Sequence, residues 1–212
     1  MIKAAIFDVD GTLLDSMPMW HDAGARYLKT LGIEAEPNMG DKLFVMSMDM
    51  SASYLKDNYN LTQTIDEIKT GINKTMEKFY FYEAQPKPGV VDFLDKLEHE
   101  KTKMTIATST DRYVIEAALK RTGLDRYFDG IFTCSEVGKS KSHPDIFYQA
   151  AGLMESEPED TWVFEDGLYA IKTAKIFGFK VVGVYDIISC KDQEEIEKIS
   201  DIYVKNLDKL CV

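Results

Sequence analysis

Residues Ala4 to Phe7 form an unbroken apolar run that stops abruptly at two acids one position apart and a glycine, Asp8-Val9-Asp10-Gly11. The run predicts a buried strand over Ile2–Phe7. The acids that follow it stand at the strand's carboxyl end, where open α/β sheets place their ligand sites. One acid of such a pair can attack as a nucleophile while the other moves protons. Asp-Gly also closes strands for purely conformational reasons, because both residues tolerate turn dihedrals. The pair therefore takes its chemical meaning from what the rest of the chain sets beside it.

Helical spacing follows at once. Trp20, Ala23, Tyr27, Leu28 and Leu31 predict a helix over 16–31 with Gly32 as its stop. Shorter helices are expected over 38–58. Ile65, Ile68, Ile72, Met76 and Phe79 step by threes and fours and predict a helix over 64–81. Gln85-Pro86-Lys87-Pro88-Gly89 then breaks the pattern and reads as a linker. Beyond it strand and helix alternate: helix 90–99, strand 103–108, helix 111–122, strand 130–134 and helix 144–152. Strand 161–165, helix 167–177, strand 180–185, helix 191–199 and strand 202–204 complete the series. This alternation predicts an α/β fold, a doubly wound, Rossmann-like parallel sheet with right-handed crossovers. The helical block interrupts it after the first strand. The expected organisation is thus a core of residues 1–15 and 84–212 with a small all-helical cap, residues 16–83, inserted into it.

In such a sheet the carboxyl ends of the strands share one rim. Strand 103–108 ends in Thr108, followed by Ser109 and Thr110. Strand 161–165 ends in Glu165, with Asp166 next, and Lys141 lies in the loop before the helix that Pro144 opens. Acids, hydroxyls and a lysine from four distant segments converge, a set that suits phosphoryl transfer. A phosphate dianion repels a carboxylate nucleophile, so a cation must cancel the repulsion, and hard oxygen ligands select Mg2+. Asp8, Asp166 and the main-chain carbonyl of Asp10 can hold that ion. Thr108 and the amide of Ser109 suit a phosphate oxygen, and Lys141 supplies positive charge. Asp10 can protonate the leaving oxygen and then activate water.

Four segments, Asp8-Val-Asp10-Gly-Thr, Ile-Ala-Thr108-Ser109, Lys141-Ser-His-Pro-Asp-Ile-Phe and Phe-Glu165-Asp166-Gly, resemble in order and spacing the motifs of the haloacid dehalogenase-like hydrolases. The helical block between the first two is similar to the cap of the β-phosphoglucomutase and phosphoglycolate-phosphatase branch. The resemblance implies Asp8 as nucleophile, Asp10 as general acid and base, Thr108 and Lys141 on phosphate, and Glu165 and Asp166 around magnesium. Two departures stand out. The branch usually continues Ser-x-x-Gly after its last acid pair, where this chain has Gly167-Leu-Tyr-Ala170. The mutases carry a Gly-x-x-Arg-like cap segment that grips a second phosphate, whereas Phe44 to Met50 contains neither arginine nor glycine. A phosphatase acting through an aspartyl-phosphate is therefore expected ahead of a hexose-phosphate mutase. A signalling receiver domain uses a similar residue set, but it is shorter and carries its phosphorylated aspartate on a middle strand.

A net charge of −11 over 212 residues repels nucleic acid and anionic lipid, and neither is expected as a partner. The expected partner is a small phosphorylated molecule, and the expected state a monomer. Cys134, Cys190 and Cys211 form no Cys-x-x-Cys pair, which argues against a zinc knuckle or a disulfide framework. No stretch approaches the ~18 apolar residues of a membrane span, and acids follow the first apolar run too soon for a signal peptide. A cytoplasmic location is expected.

Overall fold

The computed structural model describes residues 2–44, 46 and 48–210. The chain divides into two compact units, Met1–Asp15 with Ala84–Val212, and Ser16–Glu83. Strand β1 (Ala4–Phe7) opens the first unit and is buried throughout.

The second unit is helical: α1 (Met17–His21), α2 (Ala23–Thr30), α3 (Met39–Phe44), α4 (Met48–Asn58) and α5 (Ile65–Tyr82). The helix predicted over 16–31 is broken at Asp22, whose φ and ψ of −91° and 2° end α1 and begin α2. Contacts with α3 flank the break. The His21 ring bonds to Asp22 and to Asp41 across the turn. A Cβ on Gly24 would lie 2.3 Å from the Leu43 side chain, so α2 and α3 are closely packed there. Helix α5 buries Ile68, Ile72, Met76 and Phe79, the residues whose spacing announces it. Its first turn is closed by a reciprocal pair: the Glu67 amide donates to Thr64 Oγ1 at 3.2 Å, and the Thr64 amide donates to Glu67 Oε2 at 2.7 Å.

The first unit resumes with α6 (Val90–His99), β2 (Lys103–Thr108), α7 (Arg112–Thr122), β3 (Gly130–Thr133) and α8 (Cys134–Val137). Then come α9 (Asp145–Leu153), β4 (Thr161–Glu165), α10 (Leu168–Ile176), β5 (Lys180–Val184), α11 (Gln193–Ile199) and β6 (Ile202–Val204). The six strands form one sheet in the order β3-β2-β1-β4-β5-β6, every pair parallel. The doubly wound α/β sheet expected from the alternation is the observed fold. Ala4 is in register with Lys103 on one side and Thr161 on the other, so β1 is central and the winding reverses beside it.

Period-2 alternation gives the sheet two buried faces. Ile6, Val163 and Val181 join Ile146, Phe147, Ile171 and Ile196 from α9, α10 and α11. Phe7 and Phe164 point to the other face, stacked at 4.4 Å between ring centroids and packed against Phe93 of α6. Truncating a ring buried in this way costs about 3–5 kcal/mol. The sheet is thereby packed on both faces, and its carboxyl rim lies at the edge of that core. Cys134 and Cys190 are free thiols, and Cys211 lies outside the described residues. No helix is long and apolar enough to cross a membrane among the described residues.

Candidate active site

The reversal point lies where β1 ends. The Asp8 amide donates to the Phe164 carbonyl at 2.9 Å, which extends the β1–β4 ladder by one residue. The chain then folds back on itself. The amides of Leu13 and Leu14 both donate to the Val9 carbonyl, and the Gly11 amide donates to the Leu14 carbonyl at 3.0 Å. Gly11 makes this turn at a φ of 83°, a left-handed conformation that a side chain disfavours. Leu13 and Leu14 are fully buried and anchor the turn in the core.

Asp8, Glu165 and Asp166 each bring a carboxylate oxygen within 4.8 Å of the others, and all three residues are buried. Lys141 comes from the loop between α8 and α9 and is 1% exposed. Its ammonium donates to Asp8 Oδ1 and, at 2.9 Å, to Glu165 Oε2. Burial pushes the Asp8 carboxyl up, and Glu165 adds to the push, while Lys141 opposes it. Burial also raises Asp166, helped by Glu165, Asp8 and Asp186 and opposed by Lys87. Burial raises Glu165 against the pull of Lys141. Burial alone would lower Lys141, but Asp8 and Glu165 outweigh it and hold the ammonium charged. Three buried carboxylates thus face one buried cation. The excess negative charge and the hard oxygen donors fit a divalent metal ion.

Asp10 points toward β2 instead. Its Oδ2 accepts from the Thr110 hydroxyl at 2.7 Å. Thr108 is fully buried, and its hydroxyl oxygen accepts from the Thr110 amide at 3.1 Å, which leaves its proton to donate elsewhere. Ser109 is exposed, with its hydroxyl 3.6 Å from the Cys134 sulfur.

Of the residues singled out by the sequence, the structure gathers Asp8, Lys141, Glu165 and Asp166 into one cluster. Asp10 and Thr108 are joined through Thr110. The Asp10 carboxylate is not among the three that lie within 4.8 Å of one another, but its charge still helps to raise Asp8 and Glu165. Thr110, noted in the sequence only as a rim hydroxyl, proves to be the partner of Asp10. Two other contributors escape the sequence reading. Asp186 stands just past the end of β5, a rim position by the same rule that found Glu165. Lys87 is masked by the prolines on either side of it.

A family model described as haloacid dehalogenase-like hydrolase matches residues 5–184. The chain is 24% identical over 184 residues to the phosphorylated carbohydrates phosphatase of Thermotoga maritima, covering 86% of this chain and 85% of that protein. Among solved structures, CbbY from Rhodobacter sphaeroides superposes with a TM-score of 0.79 at 21% identity, covering 99% of this chain and 96% of that one. A β-phosphoglucomutase from Clostridium difficile superposes with a TM-score of 0.72 at 20% identity, covering 100% and 94%.

Proposed function

The chain belongs to the haloacid dehalogenase-like hydrolases, and on that premise we propose that it is a Mg2+-dependent phosphatase of small phosphorylated metabolites. The observation that carries the reading is the buried Asp8–Lys141–Glu165–Asp166 cluster at the sheet's reversal point, with Asp10 two residues from Asp8 and hydrogen-bonded to Thr110. Two carboxylates in different environments suit two roles. Asp8 attacks phosphorus and expels the substrate's alcohol, while Asp10 gives its proton to the departing oxygen. Asp10 then takes a proton from water, and that water cleaves the aspartyl-phosphate to release inorganic phosphate and restore Asp8. Thr108, with its hydroxyl proton to spare, and Ser109 bind phosphate oxygens. Lys141 neutralises Asp8 and the transferred group. Asp8, Asp166 and the Asp10 carbonyl, with Glu165 beside them, would hold Mg2+, which when bound lets a dianion approach a carboxylate.

A sugar phosphate is the favoured substrate class, in keeping with the name of the Thermotoga relative. The mutase-like structural neighbour supplies the rival reading. Against it, Phe44 to Met50 offers no arginine for a second phosphate. Val45 and Ser47 of that stretch lie outside the described residues.

A phosphate-release panel of sugar phosphates, phosphoglycolate and nucleotides tests the proposal. Turnover is expected with Mg2+, to vanish on chelation and to return on adding Mg2+. Asp8→Asn is expected to be inactive with unchanged far-UV circular dichroism. Wild-type-like turnover in folded Asp8→Asn refutes the mechanism. Conversion of β-glucose 1-phosphate to glucose 6-phosphate with little free phosphate, given a trace of the 1,6-bisphosphate, establishes the mutase.

A further inference from the structure

Lys87 sits between two prolines in the segment that re-enters the first unit, and its side chain is only 14% exposed. Its ammonium has three N–H donors and meets three acceptors. These are the Gly11 carbonyl at 2.6 Å, the Tyr185 carbonyl at 2.7 Å and Asp186 Oδ2 at 3.0 Å. Its backbone amide donates to the Leu13 carbonyl at 2.9 Å. The residue therefore grips the Asp8–Leu14 turn from two sides and ties it to the end of β5.

Asp186 is buried, and its second oxygen accepts from the Ile188 amide at 2.9 Å, shaping a tight turn. That turn presents Ser189, whose hydroxyl donates to Asp166 Oδ2 at 3.3 Å. A continuous path runs from Gly11, next to Asp10, through Lys87 and Asp186 to Asp166. Losing the ammonium would deprive the buried Asp186 carboxylate of its cation, so Lys87 also supports the fold. Its bonds to the Gly11 and Leu13 carbonyls tie that support to the Asp8–Leu14 turn.

We propose that Lys87 is a positioning residue of the active site, which fixes the Asp10–Gly11 turn against the Asp186–Ser189 turn that orients Asp166. It touches no substrate and acts through Gly11 and Asp186. The proposal rests on the phosphatase reading and deepens it. Small displacements of reacting groups are costly to rate, so the effect belongs in kcat and not in substrate affinity.

The test compares the full-length chain with Lys87→Met and with Lys87→Gln, which keeps two N–H donors, uncharged and on a shorter arm. In Lys87→Met, kcat is expected to fall about 10- to 100-fold, with KM within about two-fold of wild type. Lys87→Gln is expected to be intermediate. Amide hydrogen exchange read by mass spectrometry is expected to speed up in peptides covering residues 8–15 and 185–190. Exchange in the peptide covering 103–108 is expected to stay unchanged. Lys87→Met with a lowered melting temperature but wild-type kcat makes the residue merely structural and overturns the proposal. Unaltered exchange over 8–15 in either variant overturns it as well. A wild-type protein that releases phosphate from no panel member sinks the phosphatase reading instead, and the exchange difference then still decides whether Lys87 pins the turn.

Discussion

Asp166 illustrates how a buried acid can be costly on its own and useful in company. Burial first, then Glu165, Asp8 and Asp186, raise its folded-state pKa above the usual carboxylate value. Stability linked to such a group is present below the unfolded-state pKa and is lost as pH rises through the raised folded value. At neutral pH the metal-free protein therefore carries a penalty that Asp166→Asn relieves. We expect this variant to melt a few degrees higher in chelator than wild type, since about 1 kcal/mol shifts a chain of this size by about 2–4 °C. Added Mg2+ should raise the wild-type melting temperature by mass action and leave the variant unmoved. The gain of the variant over wild type in chelator should shrink as pH is lowered. A variant that melts lower in chelator, or that still responds to Mg2+, contradicts this account. At this scale the acids were legible in combination, because Asp8, Asp10, Glu165 and Asp166 follow the ends of strands that share one rim of the sheet. The pairing of Thr110 with Asp10 was not, since threonine is common at helix starts and only the fold brings the two together. Lys87 was hidden because Pro-Lys-Pro-Gly reads as a break in structure, whereas the segment runs hydrogen-bonded beside the turn it holds.

Elements with a strong local signal emerged where their sequence announced them. Strands 103–108, 161–165 and 202–204 have the predicted bounds because each run meets a turn residue or a charge at its end. Helix α5 adds the Thr64-x-x-Glu67 pair to its apolar stripe. The break at Asp22 was not legible, because the apolar spacing runs through it and the contacts that flank it come from the distant α3. Helix α8 has four residues, too few to carry a period. The capping pair at α5 gives an element-scale prediction. Thr64→Ala removes the two hydrogen bonds that the Thr64 hydroxyl makes with Glu67, leaves the one from the Thr64 amide, and should destabilise the helical unit by about 1 kcal/mol. The loss should appear in thermal unfolding followed by helical circular dichroism, while phosphate release at low temperature stays close to wild type. An unchanged unfolding transition would show that the pair contributes nothing.

In the molecule as a whole, the helical unit enters and leaves the α/β unit at neighbouring points. The Asp15 amide donates to the Gln85 carbonyl at 3.0 Å, and Leu14 bridges Pro86. A short linker can therefore join the two ends without stretching the sheet, and Asp8, Asp10, Thr108, Lys141 and Asp166 all lie outside the inserted block. We propose that residues 16–83 act as a cap that selects substrate. Replacing residues 18–82 with a short Gly/Ser linker is expected to leave a folded protein that binds Mg2+ by calorimetry. Turnover of the preferred substrate should collapse, while a small generic phosphoester still reacts slowly. Retention of the intact enzyme's substrate preference by the shortened chain would assign selectivity to the α/β unit. The central place of β1 has a consequence for how the protein is made. β1 is synthesised well before its partners, whose residues Lys103 and Thr161 come much later in the chain. During synthesis the helices of the second unit can close on themselves through local contacts. β1 meanwhile waits with both edges open, a hazard for pairing with other chains. The acid cluster comes together only once β4 has docked, so a chain still missing that strand carries Asp8 without the site around it.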